Sequence, residues 1–91
     1  MQIPKLVDVL RAVGHPTRLQ MVCLLRAHGE MTVKNLQETT NTKQSLASQQ
    51  IGILRRTGII FGRRQGNCVY YRLGAATAPL VDVVTTMRDG Q

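Results

Sequence analysis

The 91-residue chain has the length of one domain and carries 12 lysine and arginine residues against 5 aspartates and glutamates, a net charge of +7. A chain of this size buries only roughly 60 to 65 % of its unfolded surface, so pairing with a second copy would add to a marginal stability. Nowhere does it hold an apolar run of about 18 residues, nor a basic stretch leading into an apolar core near Met1, so the expectation is a cytoplasmic protein with no membrane span or secretory signal.

From Ile3 to Val13 the apolar residues Ile3, Leu6, Val7, Leu10 and Val13 recur at helical spacing, with Lys5, Asp8 and Arg11 opposite them. Pro4 suits the first turn, and Gly14 closes this amphipathic helix. A second helix follows His15, with Pro16 at its first position and a wide apolar arc of Leu19, Val22, Cys23, Leu24 and Leu25 ending at His28-Gly29. His15 reads as a start-of-helix residue and His28 as a favourable partner for a helix C-terminus. Thr32 can cap a short third helix, Val33 to about Thr39, whose Val33 and Leu36 face inward. Thr39-Thr40-Asn41-Thr42 is a turn by composition, so the third and fourth helices form a helix-turn-helix.

The fourth helix is predicted from about Lys43 to Thr57. Leu46, Ala47, Ile51, Ile53 and Leu54 project onto one arc, and Gln44, Ser45, Ser48, Gln49, Gly52, Arg55 and Arg56 onto the other. The polar arc has no acid, and its amides and hydroxyls are the groups that hydrogen-bond base edges in a major groove. Lys43 opposes the helix macrodipole unless an anion docks there, which marks it as a phosphate contact. Gln50 falls on the apolar arc and reads as a hydrogen-bonded core amide ahead of a phosphate contact.

After Gly58 the period becomes two: Ile59 to Phe61, a tip of Arg63-Arg64-Gln65-Gly66-Asn67, then Cys68 to Leu73 with Val69, Tyr71 and Leu73 on one face. This is a β-hairpin. The order of elements makes the fold mainly α with one hairpin, a winged helix-turn-helix (α-α-α-α-β-β-α), with Arg63, Arg64 and Asn67 placed for phosphates or a minor groove. The last helix, Ala75 to Met87, carries Leu80, Val83, Val84 and Met87 on one stripe, with Pro79 near its start. Two apolar terminal helices in so small a chain predict a homodimer joined by residues 3–13 and 75–88.

Charge supports a nucleic-acid partner. Lys43 to Arg72 holds six basic residues and no acid, a formal +6, whereas the segments before and after it carry +2 and −1. A cation excess of this kind gains counterion-release free energy on a phosphate backbone. The basic residues are interleaved with helix and strand patterns, not grouped on one amphipathic helix, so a membrane surface is not the expected partner. Two histidines and five scattered acids assemble no catalytic set, so the chain is expected to be neither an enzyme nor a cofactor protein. Cys23 and Cys68 lie outside any CxxC pair, which predicts two reduced thiols and no zinc site.

The segments HPTRLQMVCLL, SLASQQIGILRRTGII and GNCVYYRL resemble those of the ArsR/SmtB family of bacterial winged-helix repressors, over about residues 6 to 88. The resemblance implies a homodimer on double-stranded DNA, with fourth helices in successive major grooves of a pseudo-palindromic operator, half-sites roughly 34 to 36 Å apart, and repression relieved by a chemical signal. It assigns base reading to Gln44, Ser45, Ser48 and Gln49 and wing contacts to Arg63 and Arg64. The metal-sensing members' Cys-x-Cys and last-helix Asp/His sets have no counterpart in VKNLQETT and PLVDVVTTMR, where Asp82 is the one candidate ligand. Cys23 coincides with the second-helix cysteine of the sulfur-sensing branch, whose last-helix partner cysteine is absent. Packing or surface roles for both thiols stand ahead of a single redox-active thiol or a Cys23–Cys68 bridge. Lys43 replaces the usual capping Ser and Gln50 the usual His, so no particular operator or inducer is implied. A basic winged helix bound to RNA or the ribosome is the alternative, weakened because Phe61, Tyr70 and Tyr71 are the only rings available for base stacking.

Overall fold

The computed structural model describes residues 3–89, with side chains described for residues 5–87. The expectations for the side chains of Ile3 and Pro4, and for the interface at residue 88, lie outside the described residues. The elements are α1 (Ile3–Val13), α2 (Pro16–His28), β1 (Glu30–Thr32), α3 (Val33–Thr39), α4 (Gln44–Arg56), β2 (Ile60–Gln65), β3 (Cys68–Leu73) and α5 (Ala78–Asp89).

Local chemistry accounts for most of the boundaries. His15 has an extended backbone and its Nδ1 accepts the Thr17 N–H at 3.1 Å, so it caps α2, with Pro16 in the position where no N–H is needed. Thr32 caps α3 by accepting the Asn35 N–H at 3.1 Å. The turn into α4 is held by Thr40 Oγ1, which donates to the Leu36 carbonyl at 2.7 Å and lies 2.8 Å from Thr42 Oγ1. At the end of α4 the Gly58 N–H bonds the Arg55 carbonyl and the Ile59 N–H bonds the Leu54 carbonyl, both at 3.0 Å. Gly58 has φ +80°, which completes a Schellman motif, and Leu54 and Ile59 are both fully buried across it.

The sheet has order β1-β3-β2 and is antiparallel throughout. Its third strand, β1, was not predicted: three residues carry no readable alternation, and they become a strand because Glu30–Thr32 can pair with Arg72–Tyr70 of β3. The hairpin is tighter than expected. Gln65 pairs with Cys68, so Arg63, Arg64 and Gln65 belong to β2 and only Gly66-Asn67 forms the turn, with Gly66 at φ +61°.

The core centres on α2, whose Met21, Val22 and Leu25 are sealed from solvent, joined by Leu36, Ala47, Ile51, Leu54, Ile60 and Tyr71. Gly62 leaves room for the Tyr71 ring, since a Cβ there would stand 3.0 Å from it. The core covers the predicted stripes of the terminal helices only in part. On α1 the buried residues are Val9, Ala12 and Val13, while Leu6 and Leu10 are 40 % and 48 % exposed. On α5 it is Val81 that is buried, and Val83 is 57 % exposed. Leu46, predicted to face the core, is also exposed. The α5 helix starts at Ala78, not Ala75, because the Thr77 and Ala78 N–H groups turn back onto the Gly74 carbonyl.

Across α2 and α5, Arg26 grips Asp82 with two hydrogen bonds of 2.6 and 3.0 Å. The hydrogen bonds from Arg26 hold the Asp82 carboxyl below its usual pKa, so the single candidate metal ligand of the last helix is an ion-pair partner. Among the described residues no group of three metal-binding side chains is brought together, and no helix is long and apolar enough to cross a membrane. Gly58→Ala should lower the unfolding free energy by about 1 to 2 kcal/mol, because a Cβ is strained at positive φ; urea denaturation at fixed protein concentration reads this directly.

Candidate nucleic-acid interface

On α4, Ala47, Gln50, Ile51 and Leu54 point inward and Gln44, Ser45, Ser48 and Gln49 point to solvent, which is the division expected. The exposed strip continues through Gly52 to Arg56, whose Nη1 would lie 3.0 Å from a Cβ at position 52. Glycine there lets the Arg56 guanidinium fold back along the helix. Lys43 is the N-cap residue, with extended φ −62° and ψ 147°, and its side chain makes no capping hydrogen bond. The first turn of α4 therefore presents unsatisfied N–H groups beside a lysine, and no acid lies in that turn.

Gln50 is buried and its Oε1 accepts from Arg18 Nη1 at 2.5 Å, which makes it the core amide anticipated. Arg18 also donates through Nε to the Ala12 carbonyl at 2.6 Å, so one guanidinium joins α1, α2 and α4. Nothing in the sequence pointed to Arg18, because its partner lies 32 residues away.

The wing separates its two arginines. Successive residues of a strand face opposite sides, and Arg63 stands across from Tyr70 while Arg64 stands across from Val69. Arg63 lies on the outer sheet face and is held in place. Its Nη2 bonds Glu30 Oε2 at 2.8 Å, its Nη1 bonds Gln65 Oε1 at 2.6 Å, and its guanidinium carbon sits 5.0 Å from the centre of the Tyr70 ring. Arg64 shares the face of Val69 and Tyr71, is exposed, and makes no ion pair or side-chain hydrogen bond among the described residues. Asn67 is exposed in the turn, and a groove of about 320 Å³ separates Asn67, Cys68 and Val69 from Thr32, Val33 and Lys34 at the start of α3. Glu30 was missed as a partner of Arg63 because it sits on the unpredicted strand.

Both thiols are free. Cys23 is half-buried, with Sγ 3.6 Å from Thr85 Oγ1 on α5, and Cys68 is exposed on the wing.

The sequence profile of the "Bacterial regulatory protein, arsR family" matches residues 15–60, the span from the α2 cap to the start of the wing. A biofilm growth-associated repressor of Xylella fastidiosa is 37 % identical over 84 residues, which covers 91 % of this chain and 73 % of that protein. The chain belongs to the ArsR family.

Solved structures of ArsR-like architecture superpose closely on it. The transcriptional repressor BigR from Xylella fastidiosa has a TM-score of 0.82 at 36 % identity, covering 92 % of this chain and 86 % of that one. A homodimeric winged helix-turn-helix DNA-binding domain from Mycobacterium bovis has a TM-score of 0.87 at 30 % identity, covering 96 % and 81 %. This ArsR-family protein is a winged-helix, DNA-binding transcriptional regulator and not an enzyme, and the RNA-binding alternative has no counterpart among these relatives. Lys43→Ser should stabilise the free protein by about 1 kcal/mol, because a serine caps the N–H groups that lysine leaves open and removes a cation from the positive end of the dipole. A shift of the urea midpoint to higher concentration would register it.

Proposed function

We propose that this ArsR-family regulator is a cytoplasmic homodimeric repressor that docks the α4 helices of its two protomers in successive major grooves of a pseudo-palindromic operator. The observation that carries the reading is the acid-free exposed strip of Gln44, Ser45, Ser48 and Gln49 beside an uncapped, lysine-flanked helix start. In this reading those four residues meet base edges, while Lys43 and the N–H groups of the first turn meet a phosphate. Arg64 and Asn67 reach the backbone from the wing, and Arg63 contributes less because it is already engaged by Glu30.

The exposed apolar residues Leu6, Val7 and Leu10 of α1 and Val83 of α5 support dimerisation through those two helices, within a single domain spanning residues 1–91. The homodimeric Mycobacterium bovis domain and the repressors of Xylella fastidiosa support the same assembly and sign of control. Neither thiol acts as a sensor in this reading, since Cys23 packs against Thr85 and exposed Cys68 has no second thiol beside it among the described residues.

A competition assay tests the reading. Duplexes of roughly 25 base pairs, long enough for two half-sites one helical turn apart, taken from upstream of the protein's own gene should bind more tightly than random duplex at about 150 mM salt. Equal affinity for both would refute sequence-specific repression. Separately, Arg64→Ala should flatten the slope of log affinity against log salt by about one unit for each phosphate that the dimer no longer touches, with a smaller change for Arg63→Ala. Identical slopes for the two variants would show that the Glu30 ion pair does not restrain Arg63.

A further inference from the structure

Four cations outside the four base-reading residues of α4 and outside the wing come together in the fold. An open cleft of about 440 Å³ lies between α1, the start of α2 and the C-terminal end of α4. Lys5 and Arg11 from α1, Arg18 from α2 and Arg56 from α4 line it, with Asp8 as its one acid. Four cations against one carboxylate leave a formal +3. The rest of the lining is Ala12, Ile53 and Thr57, so nothing else there carries charge.

Three features separate this cluster from an ordinary solvated face. Among the described residues the ion pairs formed are Arg26–Asp82 and Arg63–Glu30, so none of the four cations is neutralised, and Asp8 is not paired either. Arg18 is half-buried and fixed by its bonds to the Ala12 carbonyl and to buried Gln50, which leaves its second terminal nitrogen, Nη2, without a partner among the described residues. A guanidinium held in place by other groups needs no ordering when it meets an oxyanion, whereas a free surface arginine does. Lastly, the cleft is shallow and open, so an anion can reach all four cations from solvent. It opens at the Arg56 end of α4, about 18 Å along the helix from Gln44 at the 1.5 Å rise per residue.

We infer that this cleft binds a small multivalent oxyanion, a phosphate ester or polycarboxylate, and that the anion acts on the reading helix through Arg18 and Gln50. The route is short. Arg18 touches the end of α1 and the middle of α4, and Gln50 is the covalent neighbour of Gln49 on the exposed strip. An anion bound at Nη2 competes for the same guanidinium charge that Nη1 shares with Gln50, and so alters that bond without displacing the arginine; by linkage any effect on DNA affinity is matched by an equal effect of DNA on anion affinity.

The whole 91-residue protein, titrated with sodium pyrophosphate and in a second arm with citrate, tests this, with sodium chloride adjusted to hold ionic strength constant. Amide chemical shifts should move saturably in residues 5–12, at Arg18 and in residues 53–57. Saturation by pyrophosphate alone assigns the phosphate class, by citrate alone the carboxylate class, and by both the shared oxyanion chemistry; saturation by neither overturns the inference. Lys5→Gln with Arg11→Gln keeps good helix formers on an exposed face and should weaken anion affinity about tenfold or more. Unchanged affinity in that variant, or shifts spread equally over residues 44–49 and Arg64, would mark plain counterion condensation and overturn the site. Saturating pyrophosphate should alter operator affinity in the native protein and not in the double variant; an unaltered affinity overturns the coupling through Arg18. The shift titration contains no DNA, so its failure is distinct from failure of the operator reading.

Discussion

Complete burial of Met21, Val22 and Leu25 on α2 is the constraint on which the remaining structure depends. Each such side chain contributes about 1.5 to 3 kcal/mol on leaving water, a large share of what a domain this small can gather. Most other elements cover it: α1 and α4 lie against it, β1 and β3 close one side, and α5 returns from the end of the sheet to complete the cover, tied down by Arg26–Asp82. The hairpin therefore cannot move freely relative to α4. The Schellman motif at Gly58 buries Leu54 of the helix and Ile59 before the strand in one contact.

That economy leaves apolar surface over. The apolar arc of α1 is only half covered: Val9, Ala12 and Val13 are buried in the core, and Leu6, Val7 and Leu10 are exposed. α5 divides likewise between buried Val81 and exposed Val83. Among the described residues no other element lies over these side chains, and a second copy of the same surface is the simplest cover.

The cation excess is not one undifferentiated field. Arg26 and Arg63 are neutralised by carboxylates, Arg18 is spent partly on the interior, and Arg72 stacks 5.6 Å from the Phe61 ring. What stays available among the described residues includes Lys34 and Arg55, the α4 start with Arg64, and the cleft lined by Lys5, Arg11 and Arg56. The β2–β3 ladder sets the shape of the wing, and the Glu30–Arg63 pair, which crosses from β1 over β3 to β2 with the guanidinium on Tyr70, orients the Arg63 side chain.

Helix number and most caps were legible in the residues themselves, because Pro16, Thr32 and Gly58 act on backbone groups one to five residues away. The inward burial of Ala47, Ile51 and Leu54 opposite the amide strip followed from the 3.6-residue period for the same reason. Period two also implied that Arg63 and Arg64 face opposite sides, a consequence that the five-residue tip obscured and that pairing of Gln65 with Cys68 exposes. Only the tertiary structure decided the rest. β1 exists because β3 offers an edge to it, and Leu6, Leu10 and Leu46 are exposed because no element among the described residues reaches them. Arg18 meets Gln50 across 32 residues, Arg63 meets Glu30 across 33, and Arg26 meets Asp82 across 56. Such partners are chosen by the packing of whole elements around α2, and no local period or cap encodes which charge will stand opposite which.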